Sequence, residues 1–392
     1  MEGWNTVTLK DLLQPKGYIR GPFGSALKRG ELKDQGIPVY EQQHAIYNSR
    51  EFRFFIDDEK YVELKRFTVQ PDDIIVSCSG TVGKVSVIKQ DDPIGIISQA
   101  LLTLRVDKKK VIPQYLAYYF KSREGYNSIV SRSTGSVQVN ISKRDIIEAI
   151  PLRLPPLDIQ EKIVALLKSY DDAIETNCVL ESNLLEQAVA VFSHELVVEN
   201  IPDNWVTAPL TSIADYVNGL AMQNYRPLEG ERGLPVLKIK ELRQGYVDET
   251  TEWCTETIKD EYVVNDGDVV FSWSGSLLVD FWCGGQCGLN QHLFRVSSSK
   301  YDKWFYYLWT LHYLDRFVSI AADKATTMGH IKRSDLKNAT VIIPDSESYT
   351  KLDKQLRPMI DLIISNRISN RVFAETRDTL LPLLLSGVIE IK

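Results

Sequence analysis

Residues Leu157 to Asn200 read LDIQEKIVALLKSYDDAIETNCVLESNLLEQAVAVFSHELVVEN, a run without glycine or proline. Pro155-Pro156 stands immediately before it and fixes how the chain enters a helix. Within the run, Ile163, Tyr170, Asn177, Leu184 and Val191 fall seven apart, with Leu167 and Ile174 four residues beyond their predecessors. That spacing is the seam of a coiled coil. About 40 helical residues at ~1.5 Å each would span on the order of 60 Å. The stripe occurs again near the end of the chain. Leu352, Met359, Asn366, Phe373 and Leu380 repeat the interval, flanked by Leu356, Ile363 and Leu384, after a single Pro344.

The echo is not confined to the helices. Trp4-Asn5-Thr6-Val7 returns as Trp205-Val206-Thr207, and Gly36-Ile37-Pro38-Val39 as Gly233-Leu234-Pro235-Val236. DDIIVSCSG (Asp72 to Gly80) matches GDVVFSWSG (Gly267 to Gly275), and ISQALLTLRV (from Ile97) resembles LNQHLFRV (from Leu289). ISKRDI (from Ile141) resembles IKRSDL (from Ile331), and SYDDAIETN (from Ser169) aligns with PMIDLIISN (from Pro358). One long unit is used twice, which predicts four parts: a mixed domain over 1–153, a long helix over 154–200, a second mixed domain over 201–344 and a second helix over 345–392. In each mixed domain, β-rich runs such as Asp73 to Val76 and Asp268 to Phe271 lie between turn residues, and aromatic helical stretches follow them.

The expected fold class is therefore α+β. Two mixed α/β domains are separated by two long helices, with a pseudo-twofold internal repeat. The second domain must fit between the end of helix one and the start of helix two, so the helices are expected to form an antiparallel coiled coil. Ile163 should then stack with Leu380 and Val191 with Leu352, and Asn177 should face Asn366. A buried seam Asn selects register at a cost in stability, although two polar residues at a bent point would look the same in sequence.

Composition narrows the functional classes. The 392 residues are 44% hydrophobic and 25% charged, an ordinary globular balance. No run approaches the ~18 apolar residues of a membrane span, and the start lacks the order of a signal peptide, so a cytoplasmic location without membrane contact is expected. Net charge is −6, unevenly spread: residues 1–150 carry 22 basic against 18 acidic side chains, whereas 157–200 carry 2 against 9. Bulk charge therefore cannot carry nucleic-acid binding, but local basic loops can.

Catalytic patterns are missing. Gly80-Thr81-Val82-Gly83-Lys84 is too short for a phosphate-binding Walker loop, and the double proline lacks the aromatic that an amino-methyltransferase would stack on a flipped base. Pro71-Asp72 with Asp107-Lys108-Lys109 imitates a nuclease pattern only loosely and reads better as a turn. Cys254, Cys283, Cys287 and His292 offer one loose pair where structural zinc sites use two tight ones, so no metal is expected.

What remains is polar loop chemistry. GPFGSALKRG offers Ser25, Lys28 and Arg29. Thr81 leads to Lys84, and Arg132 leads through Gln138 to Lys143. The second copy offers Gln223, Arg226, Lys238, Lys240, Lys324, Thr326, His330 and Lys332. Lys and Arg hold phosphates, while Gln, Asn, Ser and Thr read base edges. An ordinary solvated surface carries the same residue types.

LPPLDIQEKI (Leu154 to Ile163) with SYDDAIETN behind it, RDTLLPLLLSG (Arg377 to Gly387), and GPFGSALKRG followed by Gly36-Ile37-Pro38-Val39 together resemble the specificity subunits of type I restriction–modification enzymes. The likeness spans the whole chain. One departure is Ile343-Pro344-Asp345-Ser346, which lacks the double proline and leaves the start of the second helix open. The resemblance implies a non-catalytic subunit that binds double-stranded DNA, each mixed domain reading one half of a split target. It implies partnership with two modification subunits, which bind S-adenosylmethionine and methylate adenine at N6, and with two restriction subunits, which use ATP and Mg. No cofactor is expected in this chain. The acidic first helix suits protein partners. The competing class is a DNA-targeting module of another defence or regulatory complex.

Overall fold

A computed structural model describes residues 3–23, 26–133, 139–323 and 329–391. The chain divides into two compact units, Met1–Tyr170 with Glu375–Lys392, and Asp171–Ala374. The repeat seen in sequence is a repeat of topology. In the first unit a four-stranded antiparallel sheet has the order Leu13–Arg20, Leu101–Val106, Ile74–Ser77, Val85–Val87. In the second unit the order is Asp215–Asn218, Leu293–Ser297, Asp268–Ser272, Leu278–Trp282. Each unit adds a smaller sheet built on a parallel pair, Val39 with Ile96 and Val236 with Gly288. The central strand of each large sheet is almost wholly buried, which is why DIIVS and DVVFS read as continuous apolar runs. The acid that opens each run pairs with an arginine on the neighbouring strand: Asp73 accepts Arg105 Nε–H at 2.8 Å and Nη2–H at 2.7 Å, and Asp268 forms an ion pair with Arg295, whose Nε lies 3.1 Å away.

A strand pair closes each domain beside a long helix. Asn5–Thr8 pairs with Pro151–Leu154, and Val206–Pro209 with Thr340–Ile343. The helices themselves run Leu157–Leu196 and Ser346–Leu385, both 40 residues and both shorter than the ranges expected from sequence. The first starts late because Leu154 still belongs to a strand and Pro155-Pro156 follows it. The second starts without a double proline because Asp345 caps it. Its carboxylate accepts the backbone N–H groups of Glu347 at 2.9 Å and Ser348 at 3.1 Å, and Trp205 Nε1–H at 2.9 Å. These bonds, that of the Ser348 backbone foremost, pull the Asp345 pKa down to about 2.

The helices pair antiparallel, and the pairing is built into the cores. In the first unit Ile163 and Leu167, near the start of helix one, share a core with Leu381 and Leu384, near the end of helix two, and Leu380 packs against it. In the second unit Ala188, Phe192 and Leu196 share a core with Leu352, Leu356, Ile360 and Ile363, with Val191, Leu184 and Met359 at its margin. The expected matches of Ile163 with Leu380 and Val191 with Leu352 thus fall in common cores. Tyr170, Ile174 and Phe373 are half-buried.

One expectation is corrected. Asn177 does not meet Asn366: its Nδ2 donates to Asn370 Oδ1 at 2.8 Å, one turn further along. The register is set by Glu181, which accepts Asn370 Nδ2 at 3.1 Å and Arg367 Nε at 3.1 Å; Arg367 Nη1 reaches on to Asp280 at 2.6 Å. Asn366 is buried, and its Nδ2 has no hydrogen-bond partner among the described residues.

Since Leu384 lies in the core of the first unit, Leu384→Ala should cost about 2–5 kcal/mol there. Hydrogen exchange should show faster exchange over the sheet of residues 13–106 and unchanged exchange over 215–297. Equal effects on both sheets would contradict the assignment of the C-terminal turn to the first core.

Candidate nucleic-acid interface

In both units the central strand runs out into the repeated Ser-x-Ser-Gly turn. Gly80 and Gly275 hold φ of +68° and +67°, a left-handed conformation that favours glycine. The turn is then locked to the segment before ISKRDI or IKRSDL by the same bonds in each unit. Gly80 N–H donates to Val139 O at 2.8 Å and Ile141 N–H to Cys78 O at 2.9 Å. Gly275 N–H donates to Gly329 O at 2.9 Å and Ile331 N–H to Trp273 O at 3.1 Å. Ser79 and Asn140, and likewise Ser274 and His330, thereby form isolated antiparallel bridges. Loops far apart in sequence become one tip.

The two tips share a backbone and differ in side chains. In the first, Gln42 Oε1 accepts the backbone N–H groups of Cys78 at 3.1 Å and Ser79 at 2.9 Å, and Ser79 Oγ donates to Asn140 Oδ1 at 2.8 Å. Lys84 Nζ lies 4.7 Å from the centre of the Tyr126 ring, a cation–π contact. In the second, Ile239 occupies the place of Gln42 at the head of its helix. Trp273 donates Nε1–H to Asn218 Oδ1 at 2.9 Å and has the rings of His292 and His330 6.1 and 6.4 Å away. Ser274 Oγ and His292 Nδ1 are 2.9 Å apart. Gln42, Asn140 and Trp273 escaped the sequence reading. Gln42 has no polar counterpart in the repeat, so nothing marked it.

The residues expected from sequence fall into three groups. Thr81, Lys84, Arg132 and Lys143 gather about the first tip, and His330 and Lys332 about the second; Arg132 donates to Ser128 O at 2.7 Å. Lys28 and Arg29 are exposed on a short 3₁₀ turn, and Gln223 on another. Arg226 and Lys238 both bind Glu252, and Lys240 binds Asp248 at 2.7 Å. Ser25, Gln138, Lys324 and Thr326 lie outside the described residues. Cys254, Cys283 and Cys287 are buried thiols; burial raises all three, Cys283 to about 11. Among the described residues, no group of three His, Cys, Asp or Glu could hold a metal, and no helix is long and apolar enough to cross a membrane.

The family described as "Type I restriction modification DNA specificity domain" matches residues 1–186 and again 202–372. The chain belongs to this family. It is 25% identical to the MjaIX specificity subunit of Methanocaldococcus jannaschii over 73% of this chain and 71% of that one. It is 24% identical to the MjaVIII specificity subunit of the same organism over 100% and 94%. The fold is that of the type I S subunit from M. genitalium, with TM-score 0.58, 14% identity and coverage of 97% and 96%. This chain is thus a type I specificity subunit with two DNA-recognition domains, and the duplicated tips lie one in each.

Beside Gln42, on the same short helix, His44 is fully buried. Its Nδ1 accepts the Glu41 N–H at 2.7 Å and its Nε2 lies 3.0 Å from Glu51 O, an arrangement that suits a neutral ring protonated at Nε2. Burial pushes its pKa below the ordinary value of 6.5. Above that value both folded and unfolded rings are neutral. As pH falls below it, the unfolded state takes up the proton more readily than the folded one, so stability is lost. The melting temperature of the first domain should therefore fall from pH 7.5 to 5.5, and His44→Gln should shrink that fall; an unchanged difference would remove His44 as a contributor.

Proposed function

We propose that each recognition domain of this specificity subunit reads one half of a split double-stranded DNA target, and that its long helices dock two modification subunits. In this reading the modification subunits bind S-adenosylmethionine and methylate adenine at N6. Two restriction subunits join the same core to cleave DNA with ATP and Mg. The chain itself carries no catalysis and binds no cofactor; it works in the cytoplasm on DNA.

The observation that carries this reading is the duplicated tip: one hydrogen-bonded backbone presented twice with different side chains. A protein that must recognise two unlike half-sites needs that combination. Fixed backbone supplies a common docking geometry, and side chains supply the difference. The cations divide accordingly. Lys28, Arg29, Lys84, Lys143 and Lys332 are the phosphate contacts, while Arg226, Lys238 and Lys240 would each have to exchange a carboxylate for a phosphate.

Lys84→Ala in the assembled methyltransferase should weaken binding to all sequences alike and lower the slope of affinity against salt by about one. Lys240→Ala should leave the slope unchanged, because its charge is already spent on Asp248. Equal slopes for wild type and Lys84→Ala would exclude Lys84 from the phosphate set.

Methylome sequencing of a host with and without the gene tests the function directly. A bipartite adenine-methylation motif should appear only with the gene, and exchanging residues 1–153 for those of a relative should alter one half of it. Absence of any gene-dependent motif would refute the reading.

A further inference from the structure

The two tips differ most usefully at one position. Asn140 and His330 stand at the same point of the repeat, each bridged to the serine of its Ser-x-Ser-Gly turn and each next to the residue whose carbonyl accepts the turn glycine. Their backbones are held from both sides, by the glycine bond before and by the Ile141 or Ile331 bond after. Asn140 is exposed and His330 half-exposed. A polar side chain on an immobilised backbone meets the demand of base readout, where a bidentate contact tolerates little misplacement. The backbone bonds that lock the tip are the same in both units although the side chain differs, and each side chain also meets its own tip, Asn140 through Ser79 Oγ and His330 through the Trp273 ring.

We infer that Asn140 and His330 are equivalent specificity-determining residues, each hydrogen-bonding a base edge in its own half-site. The inference rests on the reading of the chain as a split-target recognition subunit and adds which position discriminates. An Asn amide pairs with adenine N6 and N7, and an imidazole ring N–H donates to a purine N7. Asn140 thus reads an adenine in the first half-site and His330 a purine in the second.

The test uses the full chain assembled with its two modification subunits, acting on DNA whose half-sites are randomised one base at a time, with methylation read by sequencing. Asn140→Ala should reduce discrimination about tenfold at one base of the half-site read by residues 1–153 and leave the other half unchanged; His330→Ala should do the reverse. Asn140→Asp, which keeps the acceptor for Ser79, should change the preferred base at the same position. A melting curve of each variant separates recognition from folding. Unchanged discrimination at every base, or a uniform fall across all bases at an unchanged melting temperature, overturns the inference while the functional reading stands. A wild-type assembly that methylates no split site overturns both.

Discussion

In each unit one backbone N–H at the foot of the aromatic helix is taken by the fourth residue of a long helix. Ile112 N–H donates to Gln160 Oε1 at 2.9 Å, and Asp302 N–H to the Tyr349 hydroxyl at 3.0 Å. Both amides belong to helix N-caps, where intrahelical partners are lacking. Gln160 is fully buried and its Nε2 also donates to Pro155 O at 2.9 Å, so the proline that starts the helix and the helix that carries the domain meet on one amide. An unpaired buried group there would cost ~1–3 kcal/mol. Each long helix is thereby tied to its own recognition domain by a hydrogen bond as well as by a shared core.

The heptad stripe was legible because apolar residues recur where a long helix faces a partner along its length. Ile163, Leu167, Leu352, Leu356 and Ile363 are buried as read. Toward the end of helix one the stripe drifts. Leu184 and Val191 are only half-buried, and Ala188, Phe192 and Leu196 take the interior. There the helix packs on the recognition domain as well as on its mate, as the 5.0 Å edge contact of Phe192 with Trp309 shows, and a 3.5-residue period no longer describes the buried face. The Asn177 partner was missed for a related reason. Periodicity gives the face of a helix but not the register against an antiparallel mate, and here Glu181 decides the register through Asn370 and Arg367.

The candidate site was legible in part. Repeated strings marked both turns, since a left-handed glycine and a buried strand constrain sequence strongly. Of the two residues that bridge to them, His330 stood among the polar loop residues read from sequence, whereas Asn140 gave no signal. Gln42 illustrates the limit. Its role is to accept two backbone N–H groups, yet in the second unit Ile239 holds the same place, its Cδ1 3.7 Å from where a Cβ would sit on Gly275. One unit supports its turn with an amide and the other with an alkyl group, and no residue pattern can express that equivalence.

Electrostatics then divides the labour within the proposed assembly. Three cations of the second domain are occupied by Glu252 and Asp248, and the chain as a whole carries −6. On the proposed contacts, Lys28, Arg29, Lys84, Lys143 and Lys332, counterion release would supply the sequence-independent share of binding. In the proposed function, tight non-specific binding would work against the task by masking differences among bases. On the proposed reading, cations that hold phosphate would supply the common share of binding, and the few polar side chains on the two tips would decide the sequence.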